Sequence, residues 1–180
     1  MQVIKTKNDL RLMISKYKQQ GKTIGFVPTM GYLHAGHASL IQLARANNEI
    51  VVVSIFVNPL QFGANEDLDN YPSNIQNDTI LCRANNVDIL YLPEVIAMLG
   101  TNSQLLTYVN ITLLDQNLCG DKRPGHFQGV CTIVSKLFNL VSPNRAYFGK
   151  KDIQQLRIIQ QSQNYLSMRP KSEREHQLLE

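Results

Sequence analysis

Long apolar runs are missing from this sequence. No stretch approaches the roughly 20 consecutive apolar residues that a bilayer-crossing helix needs. The opening MQVIKTKNDL also lacks the apolar segment of an export signal. Cysteine is scarce: Cys82, Cys119 and Cys131 stand apart, with no C-x-x-C and no paired spacing. Such an odd, scattered set fits neither a disulfide framework nor structural zinc and suits a reducing compartment, so a cytoplasmic protein is expected. Internal repeats and low-complexity linkers are absent as well. The net charge of +4 is modest and its basic residues are spread along the chain. The densest group, Lys16, Lys18 and Lys22, falls at an expected helix end, where cations are favoured anyway. Without basic and aromatic residues interleaved for base stacking, nucleic acid is not the expected partner. A small anion such as a nucleotide accounts for the excess charge.

What remains is the composition of a folded domain, with 43% hydrophobic and 18% charged residues. Residues 8–20 carry Leu10, Met13, Ile14 and Tyr17 at helical spacing before Gly21. Residues 23–28 read as a short buried strand entering a turn. A helix over 37–47 places Leu40, Ile41, Leu43 and Ala44 on one side. Residues 50–57 are nearly all β-branched or aromatic, as in a strand buried on both faces. A helix over 74–84 and a strand over 87–92 follow. This alternation predicts an α/β fold, a parallel sheet flanked by helices with right-handed crossovers. Beyond it, 107–113 is expected to add a strand, 130–140 a helix, 145–148 a short strand and 152–161 another helix. Residues 162–180 turn polar without a buried strand pattern, so one domain over 1–161 and a tail over 162–180 are expected.

The strongest local signal is Pro28-Thr29-Met30-Gly31-Tyr32-Leu33-His34-Ala35-Gly36-His37, a strand end passing through glycines into a helix. In open α/β sheets, ligands bind beyond the carboxyl ends of the strands. Gly31 and Gly36 let the backbone approach a phosphate, and the helix N-terminus favours the anion. His34 and His37, three residues apart, can project from one face and donate hydrogen bonds as charge builds on a departing pyrophosphate. A single histidine there would read as a polar cap; the pair around a glycine favours the phosphate. Zinc is excluded, because His-x-x-His supplies two ligands and no third stands nearby at metal spacing.

The His34-Ala35-Gly36-His37 tetrad resembles the HIGH signature of the nucleotidylyltransferase superfamily, which fixes no substrate. The longer run from Phe26-Val27-Pro28-Thr29-Met30-Gly31 through Leu33-His34 and Gly36-His37 is similar to the pantothenate synthetase family. Three further strings agree, in family order across roughly residues 1–161: Val53-Ser54-Ile55-Phe56-Val57-Asn58-Pro59-Leu60-Gln61-Phe62, then Arg123-Pro124-Gly125-His126-Phe127-Gln128-Gly129-Val130, then Tyr147-Phe148-Gly149-Lys150-Lys151-Asp152-Ile153-Gln154-Gln155-Leu156. Four ordered motifs are far more specific than one.

This resemblance implies a Rossmann-like nucleotidylyltransferase fold and an ATP-dependent ligase that joins pantoate to β-alanine. ATP would be held by Met30, Gly31, Tyr32, Leu33, His34, Ala35, Gly36 and His37, together with Gly149, Lys150, Lys151 and Asp152. His37, His34 and Lys151 would be catalytic, Lys151 neutralising phosphate charge as a compact cation. Gln61 and Gln155 would orient pantoate, Gln61 would also place β-alanine, and Val130 and Ile133 would wall the pantoate pocket. The implied chemistry runs through a pantoyl adenylate without a covalent nucleophile, by positioning and charge stabilisation. Mg2+ would accompany the ATP. Here Tyr71-Pro72 is followed by Asn77-Asp78 where the family often has an acidic pair, so no protein ligand for the metal is expected. His126 is open between a place at the site and a loop-ordering hydrogen bond. A homodimer is implied too, with 107–113 as an edge for pairing across a two-fold axis.

Family members continue past the Gln154-Gln155 helix through a strand, a Ser-Ser-Arg-Asn loop and a smaller C-terminal domain. Here Ser162-Gln163-Asn164-Tyr165-Leu166-Ser167 resembles a damaged Ser-Arg-Asn-x-Tyr-Leu-Ser, with Gln163 in the arginine's place, and Glu173-Arg174 echoes the helix beyond. An unrelated tail is the alternative. The intervening strand is expected to be deleted and the C-terminal lid domain absent, leaving weak ATP binding and little turnover. A class I tRNA synthetase fragment is less expected, since no anticodon-binding segment is present, and two other readings stand beside the ligase. One is a different small-molecule nucleotidylyltransferase, disfavoured by the 56–62 string and Gln154-Gln155. The other is a non-catalytic nucleotide-binding or oligomerising remnant.

Overall fold

In the run Ile50–Ile55 every residue is buried, and a strand of that kind is stable only with both faces covered. The computed structural model, which describes residues 1–63, 68–100, 105, 107–111, 123–166 and 171–174, covers both. Six strands, β1 (Gln2–Ile4), β2 (Ile24–Thr29), β3 (Ile50–Ile55), β4 (Ile89–Tyr91), β5 (Arg145–Phe148) and β6 (Lys171–Arg174), form one sheet in the order β1-β4-β3-β2-β5-β6. Every neighbouring pair is parallel. Among the described residues, the α-helices are α1 (Lys7–Gln19), α2 (Ala35–Asn47), α3 (Ile75–Ala84), α4 (Val95–Leu99), α5 (His126–Val141) and α6 (Ile153–Tyr165). Among the described residues, no helix is long and apolar enough to cross a membrane.

Side chains alternate across β3 and sort into two cores. Ile50 and Val52 join Phe26, Leu10, Met98 and Leu137 on the face covered by α1, α4 and α5. Val51, Val53 and Ile55 join Val27, Ile41 and Cys82 on the face covered by α2 and α3. Fully burying each such side chain contributes about 1.5–3 kcal/mol, so these two layers hold the α/β, Rossmann-like sheet together. From β2 the chain runs outward to β3 and β4, then returns to β5 on β2's other side. The sheet therefore has its switch point between β2 and β5, where a crevice opens at the carboxyl ends.

Three expectations need correction. The strand expected over 107–113 does not form in its described part, 107–111. Val109 and Ile111 pack instead against Phe127, Cys131 and Ile158, and the Val109 N–H donates to Thr132 Oγ1 at 2.9 Å. Alternating apolar residues signal burial on one side, and a helix surface satisfies that as well as a sheet does. Thr112 and Leu113 lie outside the described residues. The helix expected to stop at 161 continues to Tyr165, because Ser162 and Gln163 are buried and Ser162 Oγ donates to Cys131 Sγ. The strand expected to be deleted has a counterpart in β6, which pairs with β5 from Arg145↔Lys171 to Phe148↔Arg174. An edge strand joined on one side relies on main-chain hydrogen bonds, so Lys-Ser-Glu-Arg carries no apolar pattern to betray it.

Candidate active site

The crevice at the switch point holds a cavity of about 1060 Å³. From the β2 side it is lined by Met30, Gly31, His34, Gly36 and His37, and from the β5 side by Gly149, Lys150, Lys151, Asp152 and Gln155. Gln61 enters from the 3₁₀ turn Pro59–Gln61 after β3, and Val130 and Ile133 of α5 form part of an apolar wall. Tyr32, Leu33 and Ala35 stand outside the lining. Tyr32 is exposed, Leu33 packs on the α2 side of the sheet, and Ala35 is the first residue of α2.

The segment from β2 to α2 takes its shape from a buried carboxylate. Gly31 adopts φ +92°, and a Cβ there would lie 2.9 Å from Ile55 Cγ2 and 3.2 Å from Asp78 Oδ2, so only glycine fits. Tyr32 follows at φ +53°. Asp78 of α3, 2% exposed, receives the Tyr32 N–H at 3.0 Å on Oδ2 and the Leu33 N–H at 2.7 Å on Oδ1. Such charge-assisted bonds are about twice as strong as neutral ones. They also commit the Tyr32 and Leu33 N–H groups, which the glycine-rich reading offers to a phosphate. Each Asp78 oxygen thereby accepts one backbone N–H of the turn.

The histidine rings offer further donors to an anion. His34 is the N-cap of α2: its Nδ1 accepts from Gly36 N at 3.1 Å, while His37 Nδ1 accepts from His34 N at 3.3 Å. A neutral imidazole that accepts at Nδ1 carries its proton on Nε2. The two rings, with centroids 4.3 Å apart, thus cap the helix with one nitrogen and keep an N–H donor on the other. Burial first, then His34, pushes the His37 imidazole down from 6.5 to about 4, against an opposing pull from Asp78. His37 therefore acts as a neutral donor near pH 7.

A stability signature follows. Between pH 6.5 and about 4 the unfolded chain binds a proton at this position and the folded chain does not. Stability should fall as pH drops through that window. His37→Asn, which keeps an acceptor for the His34 N–H, should lose less over the same interval. Urea midpoints above pH 6.5 and near pH 4 check this; equal slopes for the two proteins would contradict the assignment.

Gln61 is held from three sides. Its Nε2 donates to Met30 Sδ at 2.9 Å and its Oε1 accepts from Asn58 Nδ2 at 3.2 Å. Asn58, 2% exposed, also donates to Gly129 O at 3.1 Å and accepts from Leu60 N at 3.2 Å. His126 Nδ1 lies 2.9 Å from Gln61 O, which places this histidine against the loop and outside the cavity lining. Sequence reasoning assigns no role to Asn58 and Tyr71, both of which line the cavity. Tyr71 stacks edge-on against Phe62 at 5.7 Å, and burial, then Asp78, raises its phenol pKa. The signal that could have found Asn58 is an Asn-Pro turn directly after a buried strand.

One cavity thus brings the His34 and His37 rings, the Lys150 and Lys151 side chains and the amides of Gln61 and Gln155 together with the apolar side chains of Val130 and Ile133. Ser39 also lines the cavity, but its hydroxyl donates to Gly36 O at 2.9 Å, so it is no nucleophile in this arrangement. Gln163, read in an arginine's place, lies buried between α5 and α6, away from this lining.

The sequence matches the family model described as pantoate-beta-alanine ligase over residues 2–172. It is 53% identical to the pantothenate synthetase of Coprothermobacter proteolyticus over 169 residues, which cover 93% of this chain and 59% of that protein. The pantothenate synthetase of Clostridium botulinum strain Kyoto is 50% identical over 159 residues, covering 88% and 56%. Among solved structures, pantothenate synthetase from Thermus thermophilus matches with a TM-score of 0.91 at 41% identity, over 97% of this chain and 61% of that one. Pantoate-beta-alanine ligase from Francisella tularensis, complexed with beta-gamma ATP and beta-alanine, matches with a TM-score of 0.91 at 34% identity, over 99% and 69%. The chain spans somewhat over half the length of the curated relatives it matches.

Proposed function

Because the chain belongs to the pantoate-beta-alanine ligase family, we propose that its cavity takes ATP beside pantoate and β-alanine and serves their ATP-dependent ligation. The observation that carries this reading is the single cavity shared by His34, His37 and Lys151 with Gln61 and Gln155. In the first step a pantoate carboxylate oxygen attacks the α-phosphorus of ATP. The bond from the α-phosphorus to its bridging oxygen breaks, and pyrophosphate leaves. The Nε2–H groups of His34 and His37 and the Lys151 ammonium stabilise the charge that grows on the leaving group. In the second step the β-alanine amine attacks the acyl carbon of the adenylate, loses a proton and expels AMP.

Gln61 and Gln155 orient pantoate, and Gln61 also places β-alanine, since a neutral amide donates and accepts without altering a carboxylate's charge. Mg2+ would accompany the nucleotide and neutralise phosphate charge, while Asp78, which receives the Tyr32 and Leu33 N–H groups, shapes the turn beside it. We expect low turnover from these 180 residues alone, with Lys150 and Lys151 as the lysines and arginines that line the cavity among the described residues. Each transition-state phosphate contact contributes roughly 10²–10³ in rate. The reading includes a homodimer, which sedimentation velocity checks; a monomer at every concentration tried would remove it.

Titrating pantoate in the presence of a non-hydrolysable ATP analogue tests the site. Gln155→Ala should weaken pantoate binding by about tenfold or more, the loss of a hydrogen bond to a charged group. Equal affinity would remove Gln155 from the pocket's working residues.

A further inference from the structure

The carbonyl of Gln61 is gripped by two side chains that lie outside the cavity lining. His126 Nδ1 stands 2.9 Å from it, and Arg123 Nη2 donates to it at 3.3 Å. The same guanidinium places Nη1 3.3 Å from His126 Nε2. A guanidinium has no acceptor, so Nε2 must accept and the ring proton must sit on Nδ1, pointing at the carbonyl. The carbonyl thereby receives two donors, one for each lone pair. His126 is buried and its ring meets Phe127 edge-on at 5.0 Å, which leaves it little freedom to turn away. Gly125, at φ +81°, is the N-cap that delivers His126 to this place as the first residue of α5.

We infer that Arg123 and His126 are positioning residues for the ligation: they lock the main chain of Gln61 so that its amide faces the substrates. The inference rests on the reading of Gln61 given above. It predicts a selective effect, because the clamp touches the Gln61 turn and leaves the His34–His37 end of the cavity alone.

Asparagine can set its Nδ2 where the His126 Nδ1 now donates, whereas glutamine places its amide farther out and alanine places none. His126→Asn should keep pantoate affinity within about threefold, while His126→Gln and His126→Ala should lose about tenfold or more. In all three the affinity for a non-hydrolysable ATP analogue should stay unchanged. Arg123→Met, a change at a half-buried position, should shift pantoate binding in the same direction by a smaller factor. Hydrogen–deuterium exchange of the segment 56–63 should rise in the Gln and Ala variants and not in the Asn variant. Equal pantoate affinity in all variants, parallel loss of pantoate and ATP analogue, or unchanged exchange in that segment would each overturn the inference. If the unsubstituted chain binds the analogue but not pantoate, the functional reading fails; the exchange measurement still decides whether the clamp exists.

Discussion

Gly129→Ala is expected to reduce pantoate affinity by at least about 100-fold while leaving the ATP analogue bound. A methyl at this position would sit 2.4 Å from Leu60 O, 2.5 Å from Leu60 C and 2.8 Å from Gln61 N. All three are backbone atoms, so no side chain can swing aside. Two effects oppose each other. Alanine is a better helix residue than glycine by about 1 kcal/mol, which favours the substitution inside α5. Forcing a methyl into a packed contact costs typically about 1–3 kcal/mol, and more where backbone must shift. The clash wins, and it is relieved by lifting the Pro59–Gln61 turn off the helix. That movement breaks the bond from Asn58 Nδ2 to Gly129 O and carries Gln61 away from the substrates. Calorimetric titration of both ligands distinguishes this from general unfolding. Wild-type pantoate affinity in the variant would show that the turn does not depend on this contact.

Asp78→Ala should destabilise the fold by about 3 kcal/mol and abolish measurable nucleotide binding. Two backbone N–H groups, of Tyr32 and Leu33, lose their acceptor at once, and each buried orphan donor costs about 1–3 kcal/mol. The strained turn at Gly31 and Tyr32 then has nothing to hold it, and the approach to the His34–His37 pair goes with it. Asp78→Asn keeps the shape and one acceptor, so its loss should be clearly smaller in both stability and affinity. A carboxylate acting through charge or as a metal ligand would rank the variants differently: Asn and Ala would be equally poor binders, with stability little changed. Chemical denaturation and analogue titration of the two variants therefore separate a geometric role from an electrostatic one.

The parts of the fold that are legible in the sequence are those whose burial is local and continuous. Residues 50–57 announce a doubly covered strand, and 37–47 an amphipathic helix, because each pattern contains its own periodicity. The strand β1 and the helix α4 are only three and five residues long, too short for a period to register. The start of α5 is hidden by Gly125 and Gly129, which read as loop. One of these is the cap, and the other admits the Gln61 turn against the helix. At the site, the spacing of His34 and His37 is enough to foresee a shared face, but not that each ring caps the helix with one nitrogen and exposes the other. Asp78 looks at most like a remnant metal ligand, since its true partners stand 45 and 46 residues away in the chain. Contacts of that kind depend on how α3 lies across the end of β2, which no local pattern encodes.

If one cavity brings ATP and pantoate together through His37, Lys151 and Gln155, the first chemical step can be read in isolation. Exchange of labelled pyrophosphate into ATP does so, because it requires only formation and reversal of the adenylate. Exchange should be slow, should appear only when pantoate is added, and should fall by about 100-fold or more in Lys151→Ala and His37→Ala. Exchange that proceeds without pantoate, that survives both substitutions, or that is absent from a chain shown by titration to bind both ligands would refute the shared-cavity reading.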